Sequence, residues 1–161
     1  MKIKIEKMRE EHIKDIAALE KECFSQPWSE VSLREELNKE NANFLVALNE
    51  DALVVGYIGF NFMLDEGYIA NIAVAPIFRH CGVAQNLLKE IIVFAQSQRL
   101  SFISLEVRAS NAAAISLYEK FGFEKVGLRR NFYALPQEDA VIMTKILVFG
   151  TQTSFDWARH A

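Results

Sequence analysis

An acid, Glu106, interrupts an apolar run, and a tyrosine, Tyr118, follows it in the next amphipathic segment. A carboxylate can act as a general base, and a phenol as a general acid, when each lies within hydrogen-bond reach of a reacting group. Upstream of both, Arg79-His80-Cys81-Gly82-Val83-Ala84 stands directly ahead of a helical pattern. A helix start gathers free backbone N–H groups at the positive end of the helix dipole, and that combination holds phosphates. Gly82 lets a ligand approach the backbone, Ala84 is small for the same reason, and Arg79 can add a charged contact. Residues 68–122 thus offer a strand, a glycine turn, a helix, a second strand and a short helix. A phosphate cradle, a base and an acid are spaced along them.

Each feature also has a plainer reading. The glycine turn fits any tight strand-to-helix connection. Along the second strand, Ser101, Ile103, Leu105 and Val107 share one face, and Phe102, Ser104, Glu106 and Arg108 the other. Glu106 is therefore either a half-buried base, its pKa raised by burial, or a surface acid paired with Arg108 or another neighbour. Asn111, Ala114, Ile115 and Tyr118 form one helical stripe. Asn111 sits at the helix start, where it can cap or meet a ligand. Tyr118 is a site hydroxyl or a core aromatic whose hydroxyl is satisfied. His12, His80 and His160 lie outside metal-ligand spacing with acids or cysteines, so no metal is expected.

These residues have to be positioned by a sheet. Residues 2–7 alternate as a strand, and Ile13, Ile16, Ala17, Leu19 and Glu20 recur with helical spacing over 9–22. Pro27 breaks that pattern and Ser29 can cap a second helix running to about residue 40. Residues 44–48 and 52–63 predict a hairpin, and 68–75 pairs back until Pro76, which has no N–H for a ladder, ends it. Residues 82–98 carry the clearest helical stripe, through Val83, Leu87, Leu88, Ile91 and Phe94. Residues 101–107 predict a strand, 111–120 a short helix, and 123–132 with 140–148 a final hairpin with 135–138 in its loop. The result is an α/β (mixed α+β) domain over residues 1–149, with a largely antiparallel central sheet of about seven strands and helices on both faces. Residues 150–161 form a polar tail without an assigned role.

The bulk numbers set outer limits. A chain of 161 residues, 51% hydrophobic, is long and apolar enough for one cored domain. A net charge of -3 advertises neither nucleic-acid nor anionic-membrane binding. Cys23 and Cys81 have no Cys-x-x-Cys spacing, so neither a disulfide framework nor a zinc site is expected. The opening MKIKIEKMREEH has no apolar signal core, and no run approaches the roughly 20 apolar residues of a membrane span. A cytoplasmic protein is expected.

Taken together, the pieces resemble the GNAT N-acetyltransferase superfamily, whose acetyl-CoA signature is Arg/Gln-x-x-Gly-x-Gly/Ala. Arg79-x-x-Gly82-x-Ala84 matches it. NIAVAP before the turn, LEVRASNAAAISLYEKFGF after it, RRNFY and EDAVIM near the end, and Pro27-Trp28-Ser29 resemble the RimI-type ribosomal-protein alanine N-acetyltransferases, over roughly residues 2–146. The resemblance implies acetyl-CoA as co-substrate and no metal. It implies that the backbone of Ile72, Ala73 and Val74 faces the acetyl and pantetheine portion and supplies oxyanion donors. Arg79, His80, Cys81, Gly82, Val83, Ala84 and Gln85 would wrap the pyrophosphate, and Asn111 would meet the cofactor from the second side. Glu106 matches the family's general base and Tyr118 the general acid that protonates the departing thiolate. Trp28, Arg130, Phe132 and Tyr133 would border a peptide groove. The implied partner is the N-terminal segment of a ribosomal protein, without direct nucleic-acid or membrane contact, met by a monomer or weak dimer. His80 stands where the family commonly has Arg or Gln, so its phosphate contact is expected to be weaker or pH-dependent. Broader N-terminal, lysine or small-amine acetyltransfer, and a non-catalytic acetyl-CoA-binding module, are the alternatives on this fold.

Overall fold

The computed structural model describes residues 2–148; the expected tail at 150–161 lies outside them. β1 (Lys4–Lys7), β2 (Leu45–Leu48), β3 (Val54–Met63) and β4 (Glu66–Val74) pair antiparallel in that order. β5 (Phe102–Arg108), β7 (Gln137–Ile146) and β6 (Glu124–Ala134) form a second antiparallel group, with β7 in the middle. The two groups join into one sheet, β1-β2-β3-β4-β5-β7-β6, through a parallel pairing of β4 with β5. That pairing covers Glu66 with Phe102, Gly67 with Ile103 and Tyr68 with Ser104. Beyond Tyr68 the ladder stops and the strands part into a cleft.

Helices cover both faces, as the alternation along the strands requires. On one face α1 (Ile13–Cys23) and α2 (Glu30–Leu37) bury Ile13, Ile16 and Leu33 against Val46, Tyr57 and Ala73. On the other, α3 (Val83–Ser97) buries Leu87, Leu88 and Ile91, and α4 (Ala112–Lys120) buries Ile115 and Tyr118, against Phe60, Ile103 and Leu105. Each fully buried aliphatic side chain contributes about 1.5–3 kcal/mol of transfer free energy. Helices of 8 and 9 residues, such as α2 and α4, are too short to persist alone, so this packing holds them. Caps set where they start: Ser29 accepts from the Ser32 N–H at 3.1 Å, and Asn111 from the Ala114 N–H at 3.1 Å.

Among the irregularities of the sheet, two shape the cleft. Gly59 pairs with Asn71 but Phe60 with Ile69, so Ala70 is an extra residue in β4, a bulge at the point where the cleft opens. The last hairpin is also tighter than expected. Ala134 pairs with Gln137 and Tyr133 with Glu138, which leaves only Leu135 and Pro136 between the strands.

Candidate active site

The glycine turn has the geometry of a cradle. Gly82 caps α3 in the left-handed region at φ 82°, and a Cβ placed there would meet nothing within 4 Å. The backbone is bare on that side. The first helical bond runs from the Asn86 N–H to the Gly82 carbonyl at 3.0 Å. The N–H groups of Val83, Ala84 and Gln85 precede it and have no partner within the helix. His80 and Cys81 are exposed beside them, and His80 is also left-handed, at φ 63°. Arg79 departs from the expectation. Its Nε donates to the Val74 carbonyl at 3.1 Å and its Nη2 to Cys23 Sγ at 3.5 Å. The guanidinium braces the end of β4 and is not aimed out at a phosphate, because the nearest strong acceptor is the strand's own last carbonyl.

β4 presents backbone to the cleft. The Ala75 N–H bonds to Val55 of β3. By antiparallel alternation, the N–H groups of Ala73 and Asn71 point to β3, and those of Ile72 and Val74 to the β5 side. Ala73 has its methyl in the core under α1, so only its backbone is near the cleft. The Ile72 N–H is already taken, by Asn71 Oδ1 at 3.1 Å. Of the expected oxyanion donors on this stretch, the Val74 N–H is the one turned to the gap.

The cleft widens into a cavity of about 750 Å³ that Glu106, Tyr118, Asn111, Trp28, Phe132 and Tyr133 all border. The expected acid and base residues, two cofactor contacts (Ile72 and Asn111) and three of the four groove residues therefore meet in one place. Arg130 does not border it; it is exposed on β6. Its neighbour Arg129 reaches Glu106 instead, with its own side chain 56% exposed.

Glu106 is 10% exposed and is held on both oxygens. Arg129 Nε donates to Oε1 at 3.1 Å, and the Tyr68 hydroxyl donates to Oε2. Arg108, the partner that strand spacing offers, is engaged elsewhere. It donates to the carbonyls of Leu135 at 3.0 Å and Pro136 at 2.9 Å, and to Glu138 at 3.2 Å, with its guanidinium carbon 4.3 Å from the centre of the Tyr133 ring. Tyr118 is buried, its ring 5.6 Å from that of Phe123. Burial, and then the neighbouring Tyr133, push its hydroxyl well above the ordinary phenol range. Among the hydrogen bonds of the described residues, none involves that hydroxyl.

Two walls of the cavity are tied together by the fold. One is the α1–α2 connection through Phe24, Ser25, Gln26 and Trp28; the other is the β6–β7 turn. The Ser25 hydroxyl donates to the Leu135 carbonyl and joins them. Tyr68, Arg129 and Arg108 were not among the residues expected at the site. Each acts across strands, and no spacing along the chain reports a partner that the β4–β5 and β5–β7 registers create. Among the described residues, no three His, Cys, Asp or Glu side chains come together as a metal set, and no helix is long and apolar enough to cross a membrane.

The model of the acetyltransferase (GNAT) family matches residues 13–123, which holds the cradle, Glu106 and Tyr118. The chain belongs to the GNAT family. It is 35% identical over 127 residues to the ribosomal protein bS18-alanine N-acetyltransferase of Escherichia coli (strain K12), covering 78% of this chain and 84% of that one. It is 33% identical over 147 residues to the enzyme of the same name from Haemophilus ducreyi, covering 89% and 99%. The crystal structure of the ribosomal-protein-S18-alanine N-acetyltransferase from Escherichia coli superposes with a TM-score of 0.84 at 30% identity, over 93% of this chain and 97% of that one. This GNAT chain thus has the mixed, seven-stranded sheet of its relatives.

Proposed function

We propose that this GNAT enzyme transfers acetyl from acetyl-CoA to the N-terminal α-amine of a protein, with the N-terminal alanine of ribosomal protein bS18 as the acceptor. The observation that carries the proposal is the meeting of Glu106 and Tyr118 on one cavity at the gap between β4 and β5, in a chain whose relatives over most of their length bear that activity. The residues fit acetyl-CoA. A bare left-handed Gly82 and free N–H groups at the start of α3 suit the pyrophosphate. The gap between β4 and β5 gives an extended chain a path from there to the cavity. Asn111 borders the far side of that path, with Oδ1 spent on capping and its amide NH₂ left to donate.

Acetyl-CoA supplies an activated acyl thioester. The chain's own residues supply proton handling and orientation. An α-amine has a pKa of about 7.7–8.0, against about 10.4 for lysine, so a carboxylate base is adequate for the first and poorly matched to the second. Glu106 takes the amine proton, directly or through a water. Arg129 and Tyr68 fix its orientation. The Val74 N–H is placed to donate to the acyl oxygen as negative charge gathers there. Tyr118, protonated throughout the physiological range, donates to the departing sulfur. Trp28, Phe132 and Tyr133 line the approach of the acceptor peptide. Residues 1–149 carry all of this within one chain, and the reaction belongs in the cytoplasm, where a ribosomal protein is met.

The test is an assay of the full chain with acetyl-CoA and two peptides. One begins with the alanine of bS18; the other has a blocked N-terminus and an internal lysine. Mass spectrometry should show a single acetyl group on the first and none on the second. Acetylation of the blocked peptide at a comparable rate would replace this reading with a lysine acetyltransferase.

A further inference from the structure

Glu20 is a buried carboxylate for which the reaction above has no use. It sits in the apolar stripe of α1 with 0% of its surface exposed, and it does not border the cavity. Three donations reach it. The Trp28 N–H bonds to Oε1 at 2.9 Å, and Asn71 Nδ2 bonds to Oε1 at 3.1 Å and Oε2 at 2.9 Å. A carboxylate only accepts, so it fixes the Asn71 amide with its nitrogen inward. Asn71 Oδ1 must then face the other way, where it accepts the Ile72 N–H. The buried Tyr57 hydroxyl lies beside the same carboxylate without a hydrogen bond of ordinary geometry. Burial pushes the Glu20 carboxyl up, against the donors from Trp28 and Asn71.

A buried charge of this kind is a poor device for stability alone, because apolar side chains of similar volume usually do as well. What it does here is join pieces that are distant in the chain. Trp28 is on the acceptor wall. Asn71 and Ile72 are on β4, next to the Ala70 bulge, and all three border the cavity. We propose that Glu20 is a positioning residue: by holding Trp28 and Asn71 at once, it sets the acceptor wall against the acyl-bearing strand. This rests on the acetyltransfer assigned above. Glu20 touches neither substrate, so its effect should fall on kcat/KM for the peptide and leave acetyl-CoA affinity alone.

The experiment compares the parent with Glu20→Gln and with Glu20→Gln combined with Asn71→Asp, all carrying Trp157→Phe so that Trp28 is the only tryptophan. Glu20→Gln turns an amide NH₂ toward the Asn71 NH₂ and breaks the network. The combined change makes the pair complementary again, because the introduced amide accepts from Trp28 and donates to the introduced carboxylate. Glu20→Gln should lower kcat/KM for the bS18 N-terminal peptide roughly tenfold, equivalent to about 1.4 kcal/mol. Acetyl-CoA binding by calorimetry should stay at the parental value. Trp28 emission should move to the red and become more open to acrylamide. The combined variant should recover both rate and fluorescence. Parental fluorescence in Glu20→Gln, or no recovery in the combined variant, overturns the proposal. If the parent acetylates no N-terminal peptide, the assigned reaction falls, and the fluorescence comparison still decides for or against Glu20. Should Glu20→Gln fail to fold, recovery of parental fluorescence in the combined variant supports the network, and its absence overturns it.

Discussion

Glu106 and Tyr118 share one cavity but stand in different surroundings, and their proposed roles draw on that difference. Glu106 is held by a guanidinium on one carboxylate oxygen and a phenol on the other, which fixes its orientation in the cleft. Tyr118 is buried with its hydroxyl pushed up and unshared, so it keeps its proton until a strong acceptor forms beside it. Glu106→Gln and Tyr118→Phe should each lower kcat by about 10²–10⁴, the usual span for a lost acid or base. Steady-state rates with the N-terminal alanine peptide, together with acetyl-CoA affinity by calorimetry, give the check: affinity should hold while turnover falls. The loss in Tyr118→Phe should be constant between pH 6 and 9, since a phenol raised above its ordinary range does not titrate there. A rate deficit that changes with pH would remove Tyr118 from the acid role. That both residues would come to one place was legible from residue type and motif. The partners of Glu106 were not. Strand alternation puts Arg108 on its face, but β7 and β6 bring Arg129 to that carboxylate and draw Arg108 to the hairpin turn.

The element that closes the acceptor side is the β6–β7 hairpin, and its anchoring is electrostatic. Glu138 receives the Ser110 N–H at 2.6 Å and Arg108 at 3.2 Å, which ties the hairpin to the β5–α4 junction. The Ser110 hydrogen bond first, and Arg108 after it, hold the Glu138 carboxyl below its ordinary range. The sign follows. A carboxyl depressed in the folded state stabilises above its unfolded pKa, about 4.3, and loses that contribution as pH falls through the lower folded value. Melting curves of the parent and Glu138→Gln from pH 7 to pH 3 should therefore differ most at neutral pH and converge at the acid end. A gap that widens on acidification would mean that Glu138 is not the clamp. The hairpin itself was legible in the apolar runs on either side of Pro136, but its tight turn was not. Gln137 and Glu138 look like loop residues by type, but they pair with Ala134 and Tyr133, and Arg108 and Ser110 hold Glu138 there. The Ala70 bulge left no mark either, since nothing in TyrIleAlaAsn signals an extra residue without the β3 register.

At the scale of the whole molecule, two antiparallel half-sheets meet over three residue pairs, and the proposed site lies where they part. The order strand, glycine turn, helix, strand, helix was readable because each step changes the hydrophobic period. The splay was not, because it is a property of how β4 and β5 fail to pair. A ligand lying along that gap touches both halves, so binding should stabilise the fold as a unit. At a concentration of about 100 times Kd, acetyl-CoA should add about 2.7 kcal/mol. For a chain of this size that corresponds to a rise in Tm of about 5–10 °C. Gly82 is the place to break the coupling. Its left-handed φ of 82° costs any other residue backbone strain, while an added methyl meets no protein atom. Gly82→Ala should lower the ligand-free Tm by strain alone, a few degrees for about 1–2 kcal/mol. It should also cut the acetyl-CoA-induced rise, because the methyl stands where the pyrophosphate has to approach the N–H groups of α3. Gly127→Ala is the matched control. Its Cβ meets only Ile142 at an ordinary 3.5 Å, away from the cradle, and the ligand response should stay parental. A parental response in Gly82→Ala as well would take the phosphate cradle away from the start of α3.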